Sequence, residues 1–252
     1  MMTRRTIWAG VVNQFGKPTG TLGALAGFVM ARRQSNRRRN DWTLDLLDNG
    51  PADRVLELGF GPGLGIRGAA ERAHRGEVFG IDHSAVMLRQ ASRRNAHAIA
   101  AGRVKLHLAS VDVMPDFPVR FDKIFGVNVH MFWSDAAAVI AELLVLLQPG
   151  GTLALTYQPR KPGATSADTA QAGDELAALL GSGGFGQVRT EVLELTPSAV
   201  CVLGSCGPAA RSIGSVNIPV KGSGARNRRS RRRRRSPSSA TAPRRSASRG
   251  CS

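Results

Sequence analysis

Apolar positions between residues 51 and 204 fall into two alternating rhythms. Short apolar runs at Asp53–Leu58, Glu77–Asp82, Val104–Leu108, Phe121–Val129 and Thr152–Tyr157 read as strands. Val104–Leu108 alternates apolar and polar residues. Phe121–Val129 is nearly continuously apolar, as a strand covered on both faces should be. Helical spacing fills the gaps, over Leu64–Ala73, Ser84–Ala100 and Ser134–Leu147. Ser84 is placed to cap its helix and Gly102 to close it, while Gln148-Pro149-Gly150-Gly151 stops the third. A helix over Ala167–Leu180 then precedes two strand-like runs, Gln187–Leu195 and Ala199–Leu203. Thr196-Pro197-Ser198 between them is short enough for a hairpin. This order predicts an α/β fold: a seven-stranded, mostly parallel sheet with helices on both faces and a C-terminal antiparallel hairpin.

The flanks follow other patterns. Thr21–Leu47 is helical in spacing, with Leu22, Leu25, Phe28 and Val29 on one side. Arg37-Arg38-Arg39 interrupts it before Trp42, Leu44, Leu46 and Leu47 resume it. Residues 1–50 are therefore expected to form an N-terminal helical lid over the mouth of a core spanning 51–204. The three arginines read either as a solvated helix face or as an attraction for an anionic substrate. Residues 205–252 hold five consecutive arginines, many serines, no acid and no apolar period. That composition cannot bury a core and is expected to be disordered.

Charge follows the same divisions. The net +17 looks like a nucleic-acid signal until it is divided along the chain. Residues 1–40 carry eight Lys/Arg and no acid, 221–252 carry twelve and no acid, and 41–220 carry fifteen against all eighteen Asp/Glu. The core is mildly acidic and both ends are basic. The basic tail reads as an arm for nucleic-acid phosphates, as an inert solvated tail, or as a frame-shifted end. Cys201, Cys206 and Cys251 form no Cys-x-x-Cys pair, so neither a disulfide framework nor a metal site is expected. Leu22–Ala31 has about half the ~20 residues of a membrane span. Thr3-Arg4-Arg5 with Ile7–Val12 has the start of a signal peptide, but Asn13-Gln14 break it. A cytoplasmic protein without a membrane anchor is the expectation.

The candidate chemistry centres on Arg54-Val55-Leu56-Glu57-Leu58-Gly59-Phe60-Gly61-Pro62-Gly63-Leu64-Gly65, a strand, a glycine turn and a helix. The dinucleotide fingerprint Gly-x-Gly-x-x-Gly fails in both registers, at Leu64 and at Ile66. The phosphate loop Gly-x4-Gly-Lys-Ser/Thr is absent. Instead, Glu57-Leu-Gly59-Phe-Gly61-Pro-Gly63 resembles motif I of the class I S-adenosylmethionine-dependent methyltransferases. Gly80-Ile81-Asp82, Phe121-Asp122-Lys123-Ile124 and Leu147-Gln148-Pro149-Gly150-Gly151 resemble three further motifs of that family, in the family's order. The resemblance covers about Thr21–Gly204 and implies a Rossmann-like core that binds S-adenosylmethionine.

It also implies roles. Gly59, Gly61 and Gly63, with Phe60 among them, lie against the amino-acid and ribose portions of the cofactor. Asp82 accepts from the ribose hydroxyls, unless it serves only to cap the helix beside Ser84. His83 and Met87 flank it. Glu57 reaches the methionine end through the loop backbone, or braces the loop. Where the family places an acid for the adenine, this chain has Ala109-Ser110-Val111-Asp112, which leaves Ser110 and the Val111 backbone as substitutes, or Asp112 if the loop is shifted. Asn128-Val129-His130-Met131-Phe132-Trp133 follows the fourth strand and faces the acceptor. Asn128 and His130 are its catalytic candidates, with Asn128 also beside the cofactor. His130 is either a base or a packed histidine. The Asn/Asp-Pro-Pro-Tyr signature of base-amino methylation is missing. The expected function is methyl transfer to a small molecule, with an RNA-directed enzyme using the basic tail as the alternative.

Overall fold

In the computed structural model, residues 34–207 are described. The predicted lid segment Thr21–Ala31 and the tail from residue 208 lie outside them. The elements are α1 (Gln34–Leu47), β1 (Arg54–Leu58), α2 (Leu64–Arg72), β2 (Glu77–Asp82), α3 (Ala85–Arg94), α4 (Ala96–Ala100), β3 (Val104–Leu108), β4 (Phe121–Val127), a 3-10 turn (His130–Phe132), α5 (Ala136–Leu146), β5 (Leu147–Tyr157), α6 (Ser166–Ser182), β6 (Gly186–Leu193) and β7 (Ala199–Ser205). The sheet order is β3-β2-β1-β4-β5-β7-β6. The first five strands are parallel, and β7 runs antiparallel between β5 and β6.

Alternation along the strands builds two cores. Leu56, Leu58, Phe79, Ile81, Ile124, Leu153 and Leu155 point to the face covered by Val139, Ile140 and Leu143 of α5 and Leu176 and Leu180 of α6. Val55, Val78, Phe125 and Ala154 point to the opposite face, under Leu44 and Leu47 of α1, Ile66 and Ala69 of α2 and Met87 and Ala91 of α3. Burial on both faces explains the apolar density of β1, β2 and β4. Among the described residues no helix is long and apolar enough to cross a membrane.

The structure corrects three sequence expectations. The helix expected over Ser84–Ala100 breaks at Asn95, whose amide donates to the carbonyls of Ala91 at 2.9 Å and Gly63 at 3.2 Å. A side chain that bonds local carbonyls competes with the helical ladder. β4 ends at Val127, because Asn128 turns into the left-handed region at φ 57°. β5 starts at Leu147 rather than Thr152. Leu147 pairs with Phe121, and the apparent stop Pro149-Gly150-Gly151 is an irregularity inside the strand, stitched to Cys206 by two backbone bonds. Of the segment expected to form the lid, the described part is α1. It packs on α2, β4 and β5, and Thr43 Oγ1 lies 2.6 Å from Thr156 Oγ1. Its first half, as far as Arg39, reaches the mouth of the sheet.

Candidate active site

The carboxyl ends of β1, β2, β4 and β5 surround the point where strand order reverses, which is where open α/β sheets bind ligands. A cavity of about 760 Å³ lies there. The three motif glycines meet it differently. Gly59, at φ 63°, donates its N–H to the Ile81 carbonyl at 2.8 Å, and a side chain on it would strike Val129. Gly63, at φ 79°, sits under α3, where a Cβ would come 2.9 Å from the Ala91 Cα. Gly61 alone has nothing within 4 Å of where a Cβ would stand, so its bare main chain faces the cavity. Gly59 and Gly61 line the wall, whereas Gly63 and the buried Phe60 support it from behind.

Glu57 also lies behind the loop, only 3% exposed. It accepts the Ile66 backbone N–H, and its carboxylate fills the space that Gly65 leaves without a side chain. Its second oxygen has no hydrogen-bond partner. Burial raises its carboxyl well above the ordinary glutamate range, and the nearby Asp82 adds to the effect. This is the position of a loop-bracing acid at the start of α2.

Asp82 braces the loop and also reaches the cavity. Oδ1 accepts from Ser84 N–H and Oδ2 from Gly61 N–H, each at 2.8 Å, so the acid ties the glycine loop to α3. It also lines the cavity, as do the exposed His83 and the buried Met87. Burial raises the Asp82 carboxyl, opposed by its two N–H donors and by His83. Beyond β3, Ser110, Val111 and Asp112 share the wall. Asp112 accepts from Ser134 N–H and Oγ at 2.8 Å, which holds its carboxyl below the ordinary aspartate range and pins the loop after β3 to the loop after β4.

The two catalytic candidates part company. Asn128 lines the cavity, and its Oδ1 accepts the Gln158 N–H at 2.8 Å, joining the ends of β4 and β5. His130 lies outside the wall, edge-on to Tyr157 at 5.1 Å and to Trp133 at 6.3 Å. Burial pushes its pKa down to about 4, against the pull of Glu175. It is a packed neutral ring, a poor base at pH 7, so the geometry favours the packing alternative.

The folded state thus disfavours protonated His130, while the unfolded chain accepts the proton near ~6.5. Its contribution to stability is complete above ~6.5 and is lost as pH falls toward 4, by roughly 3 kcal/mol. His130→Phe should remove that part of the acid sensitivity. Urea midpoints of both proteins at pH 7.5 and 5 check it; equal losses in the two would refute the assignment.

Of the far wall, sequence reasoning reached only the run Arg37-Arg38-Arg39, read as a solvated face or as an attraction for an anionic substrate. Ser35, Asn36 and Arg39 of α1, Tyr157–Lys161 after β5, and Leu195–Pro197 between β6 and β7 complete the cavity. The position of Tyr157–Lys161 at a strand's carboxyl end was the available signal. Arg39 is 1% exposed, and its guanidinium donates to Gln158 Oε1 and to Asn36 Oδ1. Gln158 in turn donates from Nε2 to the Pro197 carbonyl at 2.6 Å.

The wall residues contributed by the ends of β1–β4 suit S-adenosylmethionine. They offer open main chain at Gly61, the Asp82 carboxylate, hydroxyl and backbone groups at Ser110–Val111, and apolar Met87. That side holds Asp82 and Asp112 and no Lys or Arg, as a cationic, phosphate-free cofactor requires. All the Lys and Arg of the wall lie on α1 and after β5.

Residues 55–151 match the family described as a methyltransferase domain, Methyltransf_25. The chain is 32% identical over 178 residues to an uncharacterized methyltransferase, YdaC, of Bacillus subtilis (strain 168), covering 70% of this chain and 95% of that protein. It is 37% identical over 115 residues to a trans-aconitate 2-methyltransferase of Azoarcus sp. (strain BH72), covering 44% of this chain and only 42% of that enzyme's length. Among solved structures, the N-methyltransferase NodS from Bradyrhizobium japonicum WM9 shares the fold with a TM-score of 0.54 at 17% identity, covering 68% of this chain and 96% of that one.

Proposed function

The chain belongs to the class I S-adenosylmethionine-dependent methyltransferases, and from that premise we propose that it methylates a small molecule held in the same cavity as the cofactor. One observation carries the proposal: a single cavity of about 760 Å³ is lined both by Gly61 and Asp82 and by Arg39, Tyr157 and Gln158. That volume falls in the roughly 300–1,000 Å³ range of small-ligand sites. The trans-aconitate relative acts, by its name, on a small molecule, which agrees.

In this reading Asp82 receives the ribose hydroxyls on lone pairs that Gly61 and Ser84 leave open. Main chain at Gly59 and Gly61 flanks the amino-acid portion, and Ser110, Val111 and Met87 take the adenine end. When bound, the cofactor would supply a methyl carbon already activated by a sulfonium. Asn128 acts by position, fixing Gln158 against the end of β4. Tyr157 stays protonated at neutral pH, since burial raises its phenol, and serves as a donor. With His130 behind the wall, alignment of the reacting groups is the protein's main contribution.

Calorimetry with S-adenosylhomocysteine tests the cofactor half. Methyl-labelled S-adenosylmethionine offered to small acids, alcohols and amines, and separately to RNA, tests the acceptor half. Label entering a small molecule is expected; label entering RNA alone would favour the arm at residues 221–252 and sink the proposal.

A further inference from the structure

We infer that the groove between α2, α3 and α4, adjoining the glycine loop, is an effector site for a phosphate dianion, free or as a small monoester. Its effector half rests on reading that loop as the cofactor loop; its binding half stands independently. The groove has a volume of about 520 Å³ and shares no lining residue with the cavity at the strand ends.

Separate stretches of chain set its charge. Arg67 and Glu71 come from α2, His74 follows it, Arg94 ends α3, His97 lies in α4 and Arg103 precedes β3. Among the described residues of the lining Glu71 is the one acid, and Arg67 Nε already holds it at 2.8 Å. Arg94 and Arg103 are left in excess, with two imidazoles beside them. On the same layer Arg72 meets the acid Asp45. Arg94 and Arg103 meet carbonyls instead. Arg94 donates to Pro62 and Arg103 to Ala70, each through one terminal nitrogen at 3.0 Å. Each bond fixes a guanidinium in place and uses one of its five N–H groups. Arg94 is exposed and Arg103 half-buried, so both are open to a ligand from solvent.

Burial, then the nearby Arg37 and Arg67, lowers the Arg94 guanidinium from its ordinary value. Like charges held this close favour an anion among them. The layout selects phosphate over carboxylate. A carboxylate is matched by one planar fork, whereas a tetrahedral dianion presents oxygens to donors arriving from several elements. The groove is larger than phosphate alone requires and lies within the roughly 300–1,000 Å³ of small-ligand sites, which leaves room for the organic part of a monoester.

The end of α3 joins this groove to the glycine loop. The Pro62 carbonyl held by Arg94 lies between Gly61, at the cavity wall, and Gly63, whose own carbonyl accepts from Asn95 at 3.2 Å. A dianion that draws the Arg94 fork into the groove competes with Pro62. Occupancy of the groove thus loosens the loop, and by linkage phosphate and cofactor weaken each other's binding by the same factor.

Calorimetry on the full chain tests both halves. Inorganic phosphate and glycerol 3-phosphate are titrated at fixed ionic strength, with chloride as the reference anion. At least one of them should bind, and Arg94→Gln and Arg103→Gln should each weaken that binding at least about fivefold. The arginine-rich tail is common to all three proteins, so only the binding that these substitutions remove belongs to the groove. Tighter binding of the ester assigns a phosphorylated molecule, and equal binding assigns free phosphate. S-adenosylhomocysteine should bind wild type about fivefold more weakly in saturating phosphate, and Arg94→Gln equally well with and without it. Arg103→Gln, which bonds α2 and not the loop, should match wild type in phosphate-free affinity for S-adenosylhomocysteine. If Arg103→Gln does not fold, Arg94→Gln carries the comparison. No binding of either phosphate, variants that bind as wild type does, or an S-adenosylhomocysteine affinity that phosphate leaves unchanged would overturn the effector site. Failure of wild type to bind S-adenosylhomocysteine at all would overturn the reading of the large cavity instead, and the phosphate titrations would still decide the groove.

Discussion

Asp82→Ala is expected to weaken S-adenosylhomocysteine binding by two to three orders of magnitude. Two hydrogen bonds from ribose hydroxyls to a carboxylate are worth roughly 3–4 kcal/mol together, a few hundredfold in affinity. The alanine also strands Gly61 N–H and Ser84 N–H, which now bond the two carboxylate oxygens at 2.8 Å. The glycine loop then loses its tie to α3 as well as its ligand partner. Asp82→Asn separates the two roles: it keeps one acceptor oxygen and should fall between wild type and alanine. Calorimetry reads the affinity, and a urea midpoint taken on the same samples shows how much of the loss is loosening of the loop. Undiminished binding by the alanine variant would remove Asp82 from the cofactor site.

Gly63→Ala should cost the fold about 3 kcal/mol. Gly63 stands at φ 79°, where a side chain adds roughly 1–2 kcal/mol of strain. A Cβ would also lie 2.8 Å from the Ala91 Cβ and 2.9 Å from its Cα, so α3 must retreat, at a further ~1–3 kcal/mol. Gly61→Ala is the control. At φ 52° it carries the strain, but its Cβ meets nothing, so it should lose roughly 1–2 kcal/mol in stability while projecting a methyl into the cavity. Urea unfolding orders the two variants, and calorimetry should order them the other way for cofactor binding, relative to their stabilities. Equal midpoints for Gly63→Ala and wild type would contradict the packing described.

These glycines show what the sequence made legible. Spacing and motif order located the turn after β1, the acid at Asp82 and the parallel order of strands, because each is written in contiguous residues. Reading did not separate Gly61, which faces the cavity, from Gly63, which faces a helix; only the position of α3 distinguishes them. The break at Asn95 and the strand that runs on through Pro149-Gly150-Gly151 went unread for a related reason. A local rule says that such residues interrupt or stop an element, and tertiary bonds to Gly63 and to Cys206 decide where. His130 carried the right chemistry for a base and the wrong surroundings. Most of the far wall was not legible because Arg39, Gln158 and Pro197 come from three separate segments. A run of three arginines on a helix reads as a solvated face or as an attraction for an anion, and only docking of Leu44 and Leu47 on the sheet shows that the third one turns inward.

The division of the cavity wall has an evolutionary side. The stretch shared with the methyltransferase-domain family, 55–151, contains Gly61, Asp82, Ser110 and Asn128 and ends before Tyr157. Arg39, Tyr157–Lys161 and Leu195–Pro197 all fall outside it. On the function proposed above, exchanging those three short segments should alter acceptor use while leaving S-adenosylhomocysteine affinity in place.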